Sequence, residues 1–546
     1  MIATPLEVAV LQLNPTIGDL AHNAARIEQE VARATKAGAS LCVTPELSLV
    51  GYPPRDLLLD RGFVARANEV LAQLALNIRN MAPALVGVPE LNYGPGRPLF
   101  NSTMLLRGGH VAARFRKSLL PTYDVFDEDR YFEAGDGVGI VDLDGRRVAV
   151  SVCEDVWGDE VMSGTTRRYA KDPLRPLEEA RLDCFINVSA SPFVVGKQRV
   201  RERLLADIAR RLKAPVVYAN QVGGNDDLVF DGRSVVFGAD GGLKARAAAF
   251  AEETLVVGDG LRISRELSAE EELWDALVLG TRDYARKCGF SKALLGLSGG
   301  IDSALTAAVA CEALGSDAVE GVLMPSPWTS RSSLDDAFEL AERLGMRTRV
   351  LPISPLMDAC DALLAPEFAG RPRDTTEENI QARLRGTLLM ALANKFGALL
   401  LTTGNKSELS VGYCTLYGDM AGGLAVIADV PKTFVFRLST WLNTRRGVIP
   451  QVIIDKAPSA ELRPGQRDDD DLPPYDVLDE VLDSHLQDHQ SEAALVARGF
   501  AAPTVSRVLR LVAAAEFKRR QAAPGLKVTD RAFGTGWRMP VARRIS

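Results

Sequence analysis

Three side chains of this sequence could together open an amide bond: Glu46 in LCVTPELSL, Lys117 in RFRKSLLP and Cys153 in VAVSVCEDVW. Amide hydrolysis needs a nucleophile, a carrier for its proton and a positive group where charge builds on the carbonyl oxygen. A free cysteine has a pKa of about 8.5, so a carboxylate within reach must take its proton while an ammonium steadies the thiolate and the oxyanion. Glu46, Lys117 and Cys153 offer one group of each kind, each just after a short apolar run. Each also has a plainer reading alone. A cysteine closing an apolar strand is commonly a small buried hydrophobe, and a Glu or Lys after a strand is commonly solvated.

A second cluster lies in ALLGLSGGIDSALTAAVA, residues 293–310: an apolar run, a glycine turn, then a helical pattern. Backbone N–H groups freed at Gly299 and Gly300, with the positive end of the helix, make an anion cradle. Ser298 and Ser303 can donate to phosphate oxygens, and Asp302 can hold Mg²⁺ against them. No lysine follows the glycines, so this is not the GxxxxGK[ST] loop. The plainer reading is a glycine turn that packs strand on helix. Glu408, in TTGNKSE, follows another apolar run and can share a metal with Asp302; an acid in the first turn of a helix is the alternative.

The flanking residues say more. The segments P-E-L-S-L-x-G-Y, R-K-S-L-L-P-x-Y-x-V-F-x-E-x-R-Y-F and C-E-D-V-W resemble the glutaminase domain of the nitrilase, or carbon–nitrogen hydrolase, superfamily over residues 5–260. That resemblance implies a four-layer αββα sandwich with Glu46 as base, Lys117 as oxyanion and thiolate support and Cys153 as nucleophile. It further implies Glu128 as an orienting partner of Lys117, and Tyr123, Ser191 and Lys197 as the grip on a glutamine substrate.

S-G-G-I-D-S resembles the loop of the ATP pyrophosphatases, which split ATP to AMP and pyrophosphate while adenylating an oxygen. The resemblance implies a parallel-sheet domain with ATP held by Gly296, Leu297, Ser298, Gly299, Gly300, Ile301, Asp302, Ser303 and Thr403. A glutaminase fused to such an enzyme is similar to one family, the glutamine-dependent NAD⁺ synthetases. Residues 324–337, 376–386, 401–433, 457–479 and 518–534 look like its synthetase half. The resemblance implies deamido-NAD⁺, ATP and L-glutamine as substrates, Mg²⁺ on Asp302 and Glu408, and an internal ammonia channel. It places Asn379, Arg383, Glu408, Lys432 and Lys518 at the dinucleotide, and it implies a homo-oligomer. The run Lys518-Arg519-Arg520 suits a pyrophosphate, or else is a surface basic tail. Trp328 stands where the family usually has Tyr, and Asp468-Asp469 where it has Asp-Glu; neither removes a needed group. An amidotransferase adenylating another carboxylate or a purine is the alternative.

The elements that must position these groups are legible as periodic patterns. Over residues 1–262, apolar runs such as LEVAVLQL, PALVGVPEL, DCFINVSAS and PVVYANQVGG alternate with amphipathic stretches such as VRERLLADIARRLKA, the pattern of helices covering a sheet. Residues 263–270 read as a linker, with Ser268 and Glu271 spaced as a capping box. Residues 271–546 return to strand-helix alternation, predicting a parallel sheet with crossover helices. Asp468–Asp471 reads as a mobile acidic loop.

The 546 residues call for more than one core, and 47% hydrophobic with 25% charged residues suits globular domains rather than disorder. A net charge of −7 provides no broad positive field, which argues against a nucleic-acid partner. Seven scattered cysteines without CxxC spacing indicate a reducing compartment without disulfides or a zinc knuckle, six of them ordinary buried thiols. The N-terminal stretch lacks a basic region ahead of its apolar run, and no run approaches the roughly 18 apolar residues that span a bilayer. A cytoplasmic enzyme with no membrane partner is expected.

Overall fold

The computed structural model describes residues 6–158, 161–162, 166–167, 169–257, 261–463 and 465–544, in two compact units, Met1–Leu267 and Ser268–Ser546.

In the first unit two sheets stack. Among the described residues one has six strands, in the order Glu253–Val256, Val8–Gln12, Leu41–Val43, Ala84–Leu91, Leu99–Arg107, His110–Arg116. The other has seven, centred on the parallel neighbours Arg146–Val152, Cys184–Ser189 and Val216–Asn220. Strand side chains alternate faces. Val8, Val10 and Val43 therefore meet Val150, Val152 and Ile186 of the facing sheet. Ala9, Leu11 and Val86 point the other way, onto Ile27 and Val31 of the helix Leu20–Lys36 and Leu71 of Arg61–Asn77. The second sheet is backed by Lys197–Leu212 through Leu205, Ile208 and Leu212. Each fully buried aliphatic side chain contributes roughly 1.5–3 kcal/mol. The result is the αββα sandwich the sequence resemblance implied.

Among the strands that escaped the apolar-run reading are His110–Arg116, Gly139–Leu143, Leu228–Asp231, Leu243–Arg246 and Glu253–Val256. His110–Arg116 and Gly139–Leu143 are edge strands with alternating exposure, so they carry no continuous apolar run. Not all six remaining cysteines are buried thiols: Cys42, Cys184 and Cys311 are, but Cys288 is exposed and Cys360 and Cys414 are half-buried.

In the second unit the helix Ala269–Lys287 opens on the expected capping box. Glu271 N donates to Ser268 Oγ at 3.3 Å, and Ser268 N donates to Glu271 Oε2 at 2.9 Å. Its main sheet is fully parallel, ordered Arg347–Val350, Val319–Leu323, Ala293–Gly296, Leu399–Thr402, Leu424–Ala425. The chain leaves Ala293–Gly296 toward one edge and returns on its other side at Leu399–Thr402. Loops after strands part at such a reversal and leave a crevice. Asp468–Asp470 is no mobile acidic loop: it forms a short helical turn, and buried Asp468 accepts from Tyr475 Oη at 2.8 Å.

Candidate active sites

At the end of the strand Arg146–Val152 the chain turns sharply, and Cys153 takes a φ of +40°. A non-glycine residue in that region is strained by about 1–3 kcal/mol and persists only where its surroundings hold it. Asp155 supplies the hold. Its Oδ2 accepts from Val152 N at 3.0 Å, while its Oδ1 accepts from Ser118 N and Leu119 N, each at 2.9 Å. The cysteine turn is thereby fastened to the segment just after Lys117.

Lys117 follows the strand His110–Arg116 and is fully buried. Its ammonium donates at 2.8 Å to Glu46 Oε1 and at 2.8 Å to Glu128 Oε1. Glu46 is also buried; its Oε1 accepts from Asn101 Nδ2 at 2.7 Å and its Oε2 from Ala190 N at 3.1 Å. Tyr52 Oη donates to Glu128 Oε1 at 2.8 Å. Burial alone would strip Lys117 of its proton, but Glu128 and Glu46 reverse that and hold the ammonium charged well above its ordinary range. Burial pushes Glu128 up to about 7 against the pull of Lys117. Burial, then Glu46, pushes the Cys153 thiol well above its usual value, with Lys117 opposing. The cysteine therefore rests as a thiol, and its proton must leave as it attacks. Of the carboxylates that act on the thiol, Glu46 has the largest effect.

The three residues singled out as a substrate grip lie close to this cluster in different degrees. Tyr123 Oη donates to both oxygens of Glu154, the residue after Cys153, at 2.9 and 3.1 Å. Ser191 is buried next to Ala190, the Glu46 partner. Lys197 donates to Pro192 O at 2.9 Å at the start of its helix.

The second unit holds a cavity of about 680 Å³ at the sheet's point of reversal. The strand Ala293–Gly296 delivers residues 296–298 and 300–303 to its wall, with Gly299 turned off it, and the helix Ile301–Leu314 starts there. Gly299 has a φ of +78°, and a Cβ on it would meet Ser333 O at 2.3 Å, so glycine is required at that turn. Ser298 Oγ and Ser303 Oγ lie 3.1 Å apart, and Ser298 Oγ accepts from Gly300 N at 3.2 Å. These hydroxyls and the helix N-terminus suit a polyphosphate.

Across the crevice, Lys432 begins the helix Lys432–Arg446, where the helix dipole disfavours a cation. Asp302 and Glu408 offset this. The ammonium is bonded to Asp302 Oδ2 and lies 3.2 Å from Glu408 Oε1. Asn405 Nδ2 donates to Asp302 Oδ1 at 2.9 Å and so locks the pair. Burial raises Glu408 to about 8, with Lys432 opposing. Asp302 and Glu408 are hard oxygen donors of the kind Mg²⁺ takes alongside phosphate oxygens. Among the described residues no three His, Cys, Asp or Glu side chains converge as a protein-only metal cage. The donor set thus fits an ion that arrives with a polyphosphate.

Residues 7–258 match the carbon-nitrogen hydrolase family and residues 273–522 the NAD synthase family. A glutamine-dependent NAD(+) synthetase of Synechocystis sp. is 50% identical over 550 residues, covering 98% of each chain. One of Thermotoga maritima is 41% identical over 587 residues, covering 99% of each. The chain belongs to the glutamine-dependent NAD(+) synthetase family. The structure of such a synthetase from Acinetobacter baumannii in complex with adenosine diphosphate superposes with a TM-score of 0.78 at 38% identity over 98% of both chains.

Within this synthetase family member, Asn379, Thr403, Glu408, Lys432 and Lys518 all line the cavity with residues of the glycine loop. Asn379 Oδ1 accepts from Thr415 Oγ1 at 2.8 Å. Arg383 is exposed and off that wall, its Nε donating to Leu416 O at 3.2 Å; Arg385 lines the wall instead, and burial lowers it to about 10. Of the basic run, Lys518 reaches the cavity, where its Nζ donates to the carbonyls of Gly412 and Cys414 at 2.7 Å each. Arg519 and Arg520 do not line the cavity; both are bound to buried Glu516. Sequence reasoning passed over Tyr52, Asn101, Asp155, Arg385 and Asn405. Tyr52 and Asn405 stand inside motifs already noted, whereas Asn101 sits in the strand Leu99–Arg107 beside Ser102 and Thr103, where nothing in the local pattern sets it apart.

Proposed function

We propose that the chain amidates deamido-NAD⁺ to NAD⁺ at the expense of ATP, using ammonia released from L-glutamine by its first unit. Cys153 Sγ attacks the glutamine carboxamide carbon as its proton passes to Glu46, and Lys117 faces the charge that develops on the carbonyl oxygen. Glu46 returns the proton to the departing ammonia, and a glutamyl thioester remains on Cys153. Water then frees glutamate. Tyr123, Ser191 and Lys197 grip the glutamine.

In the second unit the nicotinate carboxylate attacks the α-phosphorus of ATP and pyrophosphate leaves. Ser298, Ser303 and the helix N-terminus hold the phosphates, with Thr403 at the nucleotide and Asn379 and Lys518 at the dinucleotide. Asp302 and Glu408 would hold Mg²⁺, which supplies positive charge against the departing pyrophosphate. Lys432 steadies those two carboxylates and brings its own charge to the same place. Ammonia passing internally to the acyl-adenylate displaces AMP. Delivery of unprotonated NH₃ at high effective concentration is the benefit of joining the sites in one chain.

The observation that carries this reading is the bonded Glu46, Lys117 and Glu128 cluster beside strained Cys153, in a chain that also holds a phosphate loop on its cavity. A homo-oligomer in the cytoplasm belongs to the same proposal; the seven free cysteines agree with a reducing compartment, and no described helix is long and apolar enough to cross a membrane. The relatives do not favour an acceptor other than deamido-NAD⁺. Omitting each substrate in turn while measuring NAD⁺, AMP and glutamate tests it. NAD⁺ and AMP should appear together only with ATP, deamido-NAD⁺ and a nitrogen source, and equal turnover of another carboxylate would refute the substrate assignment.

A further inference from the structure

The mechanism above leaves a buried charge pair unused. Arg201, on the helix Lys197–Leu212, and Asp231 are each at most 4% exposed. The guanidinium donates through Nη2 to Asp231 Oδ2 at 2.6 Å and through Nη1 to Asp231 Oδ1 at 3.2 Å. Its Nε donates to Gln198 Oε1 at 3.0 Å, and the ring of Tyr218 lies 5.6 Å from its Cζ. Such a pair adds little net stability, since two desolvated charges recover in attraction roughly what their burial costs. Its contacts lead toward the first active site.

Asp231 Oδ1 accepts from Asn220 Nδ2 at 3.3 Å. Asn220 is fully buried at the end of the strand Val216–Asn220, and its Nδ2 also donates to Gly232 O at 2.8 Å. That leaves its Oδ1 aimed at Ser191 N, from which it accepts at 2.9 Å. The preceding N–H, of Ala190, donates to Glu46 Oε2 at 3.1 Å, and Ser189 O accepts from Gln221 N at 3.0 Å and from Glu46 N at 3.4 Å. Glu46 Oε1 already has two donors, Lys117 and Asn101, at 2.8 and 2.7 Å. Oε2, with its single longer bond, is thus the oxygen better able to accept a proton. Consecutive N–H groups on the segment 189–192 therefore face two ways, one to the base oxygen and one to Asn220.

We infer that Asn220, anchored by the Arg201–Asp231 pair, is a positioning residue for glutamine hydrolysis: it fixes the segment 189–192, which in turn aims Glu46 Oε2 and presents Ser191. The inference rests on the glutaminase reading of Glu46 and Cys153. Displacing a catalytic group by about 1 Å through a distant change can cost about 10²-fold in rate.

The test is Asn220→Ala in the full chain, with glutamate release and NAD⁺ synthesis measured at saturating ATP and deamido-NAD⁺, and with the thermal midpoint recorded. Glutamine kcat should fall by about 10- to 100-fold and its KM should rise, while synthesis from ammonium salts keeps its kcat per folded protein. Asp231→Asn keeps the volume and removes the charge that orients Asn220; it should move glutamine kcat in the same direction by less. Unchanged glutamine kcat and KM in folded Asn220→Ala protein would overturn the inference. So would equal losses with glutamine and ammonium, or unfolding of both variants with normal turnover in what remains folded, because the residues would then only hold the domain together. Cys153→Ala is the control for the underlying reading: glutamate release that survives there condemns the glutaminase site itself, whereas its loss there beside normal Asn220→Ala turnover condemns the relay alone.

Discussion

The ammonium of Lys117 lies 2.8 Å from Glu46 Oε1 with both side chains fully buried, and a second carboxylate, Glu128, shares it at the same distance. Burying three ionisable groups is costly, and here the cost is offset only while the cation stays between the anions. Lys117→Met leaves two carboxyl groups facing each other without it. Removing one partner of a buried pair destabilises by about 3–5 kcal/mol. Urea unfolding should show a loss of that order for the first unit, and glutamate release should fall by at least about 10²-fold.

Glu128 gives glutamine turnover a pH dependence. Burial holds it at about 7, so below that pH its carboxyl is neutral and above it anionic. The anion is the form that holds the Lys117 ammonium, so glutamate release should rise through pH 7 and decline as pH falls below it. Glu128→Gln is neutral throughout; its activity should be low and lack that limb. Profiles of kcat for glutamate release between pH 5.5 and 8.5 (a range of about 3 units) check this, and an unchanged limb in the variant would assign it to another group.

Much of this is legible in the sequence, and the reasons differ by residue. Cys153 and Glu46 follow apolar strands, which makes them visible as groups at strand ends; Lys117 follows an edge strand of alternating exposure and shows instead through its flanking motif, and the glycine loop announces itself by type and spacing. Their partners were not visible. Asn101 and Asp155 act across the fold, 55 and 36 residues from the groups they hold, and local patterns carry no such information. Arg383 and Arg385 stand two apart on one helix and so face different ways. Asp468 reads as one of four exposed acids, yet it is the one folded inward against Tyr475. The edge strands hid because half their side chains meet water.

Gly299→Ala probes the second site. Its Cβ would strike Ser333 O at 2.3 Å, in a backbone conformation with φ +78° that alanine resists by about 1 kcal/mol or more. The loop must shift, and misplaced phosphates slow adenylation. AMP formation should drop by about tenfold or more with either nitrogen source. A drop confined to glutamine would show that the loop serves the first site instead.

Cys153→Ala is the most direct measurement, because the central claim is that one chain makes ammonia at one site and uses it at another. NAD⁺ synthesis should be compared with L-glutamine and with an ammonium salt, alongside glutamate release. The expected result is loss of glutamate release and of glutamine-dependent NAD⁺ synthesis, with synthesis from ammonium retained. Glutamine-dependent synthesis that persists in folded Cys153→Ala protein, or ammonium-dependent synthesis lost in equal measure, would contradict the two-site account.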